Sequence, residues 1–129
     1  DCATCHKSHY SEFENLLVQK FPNGLYAAAN TENFALCFNC HSNEILSAEK
    51  TTDATNFRNG EQNLHYLHIN GSKGSNCTNC HNIHASENQH LIKKTLLFGN
   101  WEMPINYVRE SNGGSCFPGC HKKYSYSVK

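Results

Sequence analysis

The chain has 129 residues, and its 11 Lys+Arg against 11 Asp+Glu leave no formal charge. That balance offers no basic field for nucleic acid or an anionic membrane surface, and no apolar run approaches the roughly 20 residues that cross a bilayer. The length fits one domain with a modest core; because eight of its apolar residues are cysteines, side chains alone make that core poor, and something else is expected to fill the interior.

In chain order, Cys2-Ala3-Thr4-Cys5-His6 comes first, with His9 three positions on. Ser11 to Gln19 predicts a short helix, stopped near Phe21-Pro22-Asn23-Gly24. Thr31 to Leu36 leads into Cys37-Phe38-Asn39-Cys40-His41 with an N-cap at Asn30 or Thr31, which places this second motif on a short helix. Asn43 to Lys50 predicts another turn or two. Residues 51–63 and 70–76, rich in Thr, Asn, Gly and Ser, are expected as loops on either side of a segment carrying His65 and His68. Cys77-Thr78-Asn79-Cys80-His81 follows, with His84 at the offset of His9. Leu91 to Phe98 and Trp101 to Val108, about Gly99-Asn100, predict a β-hairpin whose second strand is confined to an edge by Pro104. The last motif, Cys116-Phe117-Pro118-Gly119-Cys120-His121, has one extra residue, and Pro118-Gly119 is turn chemistry suited to it. The tail tyrosines Tyr124 and Tyr126 read as surface residues or a contact patch. The pattern is one domain over 1–129 with an internal duplication, about 1–45 and 77–125, joined by a connector over 46–76.

Every cysteine belongs to one of these four pairs, and a histidine follows each pair. C-x-x-C-H is the attachment signature of a c-type haem. Two thiols at this spacing add across the two vinyl groups of one porphyrin, and the adjacent histidine is held under the ring as proximal iron ligand. Disulfides or C-x-x-C zinc hairpins are the competing readings, and neither requires a histidine after every second cysteine. The cofactors expected are therefore four covalently attached haem c groups, anchored by Cys2, Cys5, Cys37, Cys40, Cys77, Cys80, Cys116 and Cys120, with His6, His41, His81 and His121 as proximal ligands.

Five histidines remain, His9, His65, His68, His84 and His90, enough for a second histidine on every iron with one to spare. Met103, before Pro104, reads as a packing residue. His9 lies on the same side of its ring as His6 and must serve another iron; the same holds for His84. A segment that grips two irons brings two porphyrins into near contact. The expected pairing gives His9 to the haem of His41, His84 to that of His121, and His65 and His68 to those of His6 and His81, with His90 left at the surface. Arg58, Lys73, Arg109, Lys122 and Lys123 are candidate propionate partners. The fold class expected is mostly irregular, with short α-helices and a small β-hairpin, wrapped around a closely packed chain of four c-type haems.

On these motifs the chain resembles the multihaem c-type cytochromes with doubled C-x-x-C-H motifs, in which C-x-x-C-H-x-x-H is followed by a second C-x-x-C-H. The likeness extends to Asn63-Leu64-His65-Tyr66-Leu67-His68 and to Gly113-Gly114-Ser115, and the wider spacing of the fourth motif departs from it. The resemblance implies a low-potential electron carrier, either a soluble periplasmic shuttle or the subunit of an extracellular filament, or a piece of a longer haem chain. Its partners would be other redox proteins, extracellular acceptors or further copies of itself. Bis-histidine ligation leaves no open iron position, so no enzyme is expected; a small-molecule reductase would need one. Because haem is attached after export, the expected location is extracellular or periplasmic, behind a cleaved signal peptide.

Overall fold

The computed structural model describes residues 1–129. The first and third motifs fold alike because an acidic or amide side chain caps each. Asp1 accepts from the Ala3 amide at 2.6 Å and Asn76 from the Thr78 amide at 3.3 Å, closing 3-10 turns over Cys2–Thr4 and Cys77–Asn79. Downstream, the Ser11 and Ser86 hydroxyls donate to the carbonyls of Leu17 and Ile92 and accept from the amides of Phe13 and Asn88. Asn15-Leu16 and His90-Leu91 then reverse the chain with left-handed backbones, φ 55–56° at all four. Residues 1–18 and 76–93 thus make the same set of backbone hydrogen bonds, down to Val18 on Cys5 and Lys93 on Cys80.

These turns replace the helix expected over Ser11–Gln19, of which only a 3-10 turn at Glu14–Leu16 forms. The serine hydroxyl bonds the local backbone in place of a helical ladder, and asparagine tolerates the left-handed region.

The second and fourth motifs are set differently. Helix α1 (Ala35–Phe38) ends inside motif two, with Phe34 rather than Asn30 or Thr31 as its N-cap. Asn30 instead accepts from the Asn33 amide at 2.7 Å. One turn, α2 (Glu44–Ser47), follows. A minimal hairpin, β1 (Arg58–Asn59) with β2 (Gln62–Asn63), leads into α3 (Leu64–Ile69), which carries His65 and His68. Next come β3 (Thr95–Phe98) and β4 (Trp101–Pro104), paired antiparallel across Gly99-Asn100. Last is a three-stranded antiparallel sheet, β5 (Tyr107–Glu110), β6 (Gly113–Cys116) and β7 (Tyr124–Ser127), with β6 central. Motif four begins on the last residue of β6 and fills the connection to β7.

This corrects the expectation of a mostly irregular chain with one small hairpin wrapped around haems. Seven strands form three separate antiparallel sheets. The strands run two to four residues, too short for a period-two pattern to declare itself. Gly113-Gly114-Ser115 also has little strand propensity of its own. It pairs because of what it lacks: a Cβ on Gly113 would overlap the Tyr126 carbonyl, and one on Gly114 would lie 2.6 Å from the Val108 carbonyl. Tertiary closeness, not local preference, makes that strand.

Only 14 of 129 residues are buried, a small core for this length. Its apolar centre is Phe34, Leu46 and Ile69, against which Phe21, Phe38, Ile45 and Cys77 pack, so motifs two and three share one cluster. Asn63, fully buried, pins α2 to α3. Its amide donates to the carbonyls of Ile45 and Ala48, and its oxygen caps α3 by accepting from His65 and Tyr66. Motif three is further tied to the segment between motifs one and two, since the Asn76 side chain donates to the carbonyls of Pro22 and Gly24, and that of Asn79 to Leu25.

Candidate functional site

None of the eight cysteines is joined to another as a disulfide, and no three His, Cys, Asp or Glu side chains converge as a tetrahedral zinc site requires. They are not scattered, however. The Cys37 and Cys77 thiols interact directly, which holds Cys37 below the ordinary thiol value and pushes Cys77 above it. Burial, with Cys116 and Cys120 close by, pushes the Cys80 thiol up to about 11. Motif three therefore has motif two at one cysteine and motif four at the other.

The histidines meet in pairs. His6 and His84 have ring centroids 6.2 Å apart and planes 13° from parallel. His65 and His81 stand at 6.3 Å and 18°. His68 and His121 stand at 6.5 Å and 46°. Two nitrogens at about 2 Å from one metal, plus the radius of each five-membered ring, put facing imidazole centroids roughly 6 Å apart, so each pair leaves the space of one hexacoordinate iron.

Five of these six rings also have the nitrogen not needed for a metal already engaged. Nδ1 of His6 donates to the Asn15 carbonyl and that of His81 to the His90 carbonyl, both at 2.8 Å. Nδ1 of His68 donates to Leu64 and that of His121 to Lys122, both at 2.6 Å. Nδ1 of His65 pairs with the Thr55 hydroxyl at 3.1 Å. A proton fixed on Nδ1 leaves the lone pair on Nε2, the arrangement of metal-ligating imidazoles with an outer hydrogen-bond partner. Burial, helped by nearby His81, His68 and His41, pulls His65 down to about 4, and burial also lowers His81, so both rings are neutral donors at physiological pH.

The pairing differs from the expected one. His84 faces His6 rather than His121, and His68 takes His121. Only the match of the His65/His68 segment with His81 agrees. The left-handed turns fold both C-x-x-C-H-x-x-H segments back on themselves, and the placement of the second one against motif one brings His84 to His6. His9 and His41, both exposed, face no ring. His90 is engaged by the Arg109 guanidinium, so Arg109 is turned to a histidine. The Asn15 and His90 carbonyls, which orient the first and third proximal histidines, carry no sequence signal beyond their common place nine residues after His6 and His81.

Met103 is buried and in contact with the Cys120 sulfur at 3.3 Å. Phe57 stacks on His68 and meets His65 and Tyr126 edge-on, and the Tyr126 and Tyr107 hydroxyls lie 3.4 Å apart, so the tail is docked against the α3 histidines. Lys122 lies over the Tyr124 ring.

The family model described as the doubled CXXCH motif matches residues 1–45 and 68–97, the stretches that hold motifs one to three and their extra histidines. The chain belongs to the doubled CXXCH motif family. It is thus a multihaem c-type cytochrome whose motifs hold covalent haem for electron transfer. The match does not extend to the fourth motif, whose cysteines are one residue further apart. No curated protein and no solved structure matches the chain. No helix of this cytochrome is long and apolar enough to cross a membrane.

Proposed function

We propose that this cytochrome carries four bis-histidine haems and conducts electrons as the repeating subunit of an extracellular filament. The observation that carries the four-haem reading is the set of three facing imidazole pairs, each joining a proximal histidine to one from a different segment. Cys2 and Cys5 anchor the haem of His6 and His84, Cys77 and Cys80 that of His81 and His65, and Cys116 and Cys120 that of His121 and His68. Cys37 and Cys40 anchor the haem of His41. When bound, each haem supplies a one-electron carrier.

The polypeptide holds the paired rings of His6 and His84, His81 and His65, and His121 and His68 in place, so each pair would keep the same two ligands on a bound iron in either oxidation state. Paired histidines favour a low potential, since a methionine ligand raises it. With both axial positions filled there is no place for a substrate, and we propose no enzymatic activity.

Three histidines stand outside the facing pairs; Arg109 engages His90, and the filament reading rests on the other two. His41 has no facing ring and His9 is exposed with none either, so His9 of one copy completes the haem of His41 in the next and links subunits end to end. The place of such a filament is outside the cell. The test is negative-stain microscopy of the haem-loaded protein with an optical spectrum of the same sample, repeated for His9→Ala. Uniform filaments, all low-spin, that are lost in His9→Ala together with one low-spin haem support the proposal. Dispersed monomers with every haem low-spin overturn the filament in favour of a soluble shuttle. A high-spin component in the unaltered protein overturns full bis-histidine ligation and reopens a reductase.

A further inference from the structure

Motif three touches each of the other three motifs, and no other motif does. We infer that the haem held by Cys77, Cys80, His81 and His65 is the junction of the four, through which electrons pass between any two of the others. The inference rests on the four-haem reading above and departs from a chain in sequence order.

Three separate pieces of geometry meet there. Toward motif one, His81 and His84 lie in a single four-residue segment, and while His81 faces His65, His84 faces His6. Two irons gripped three residues apart are neighbours. Toward motif four, His65 and His68 lie one turn apart on α3 and face His81 and His121. Phe57 packs against both of these rings, with centroids 5.1 and 5.7 Å away, and so fixes the two in one orientation. Toward motif two, Cys77 and Phe38, the latter between the two cysteines of motif two, pack on the same buried cluster of Phe34, Leu46 and Ile69. The side chains of Asn76 and Asn79 bond the chain between motifs one and two, which sets motif three among the others rather than at an end.

No comparable link joins motifs one and two, one and four, or two and four: none of the facing histidine pairs connects them, and no buried cluster holds residues of both. The arrangement is a star with motif three at its centre.

Iron positions in the haem-loaded protein, from anomalous diffraction or a filament reconstruction, test this directly. The three shortest iron–iron distances within one chain should all include the motif-three iron. A row in which that iron has two close neighbours or fewer overturns the junction. Fewer than four haems by mass, or axial pairs other than those named, overturns the reading beneath it and is told apart by that count. Two variants read the same question in solution. His65→Met raises the potential of the central haem, and its early reduction should shift the potentials of three other haems, whereas His68→Met should shift chiefly one. Equal spread from both variants, or an effect of His65→Met on a single haem, overturns the inference.

Discussion

His6 and His84, from the first and third motifs, face each other across 6.2 Å with their planes 13° apart. Neither needs the other to fold its own turn, yet the Asn15 carbonyl fixes one ring and the left-handed return at His90-Leu91 sets the segment that carries the other. The pair exists to share something between them. With one iron held between them, as proposed, His84→Ala should turn one haem high-spin and leave the others low-spin, read by optical and electron paramagnetic spectra of the loaded protein. Removal of His90, which Arg109 engages instead, should leave the spin state unchanged.

The left-handed turn at Asn15-Leu16 makes a second point checkable. A β-branched residue at Asn15 meets the steric cost of that conformation, about 1–2 kcal/mol, whereas glycine is free of it. Asn15→Val should lower the unfolding free energy of the holoprotein, followed by the shift of its denaturation midpoint, by that amount, and Asn15→Gly should leave it nearly unchanged. Equal effects from the two would mean that the asparagine side chain, not its backbone, matters.

Gly119, within the widened fourth motif, lies against Trp101 and Met103, where an added Cβ would overlap the indole. Gly119→Ala should cost about 1–3 kcal/mol by overpacking, and most of that should return when Trp101 is also cut to leucine. A double-mutant cycle measures the coupling; additive effects would show that the two do not compete for one space.

Asn63 is buried with both ends of its amide engaged. Asn63→Ala removes a helix cap, about 0.5–2 kcal/mol, and leaves buried carbonyls unpaired at about 1–3 kcal/mol. Because α3 carries both His65 and His68, thermal melting followed in the haem band should show two irons losing a ligand together. Asn63→Asp keeps the cap acceptor, loses the donors, and should fall between.

Burial keeps His65 neutral down to about 4. In the chain without haem this depressed value costs stability as pH falls below the ordinary histidine value near 6.5, because the unfolded chain takes up the proton first. Folding of the apoprotein should weaken between about pH 6.5 and 4, and His65→Gln should flatten that slope, followed by circular dichroism.

The chemistry was legible in the sequence, since two thiols and a histidine at fixed spacing are a local requirement, met within five or six residues at Cys2, Cys37, Cys77 and Cys116. So was the sparse core, because the chain has few aliphatic runs. What could not be read is which histidine meets which. His9 and His84 stand at the same offset from equivalent motifs, yet His84 faces His6 while His9 faces no ring. The difference lies in how the segments around Asn15 and His90 are placed against the rest of the chain. The sheets were hidden for a related reason. Gly113-Gly114-Ser115 becomes a strand because Val108 and Tyr126 close on it from either side, and no local signal encodes partners that the chain reaches only after folding. Attachment is covalent and near in sequence, so the residues alone determine it. Pairing acts through space between distant segments, so only the tertiary structure decided it.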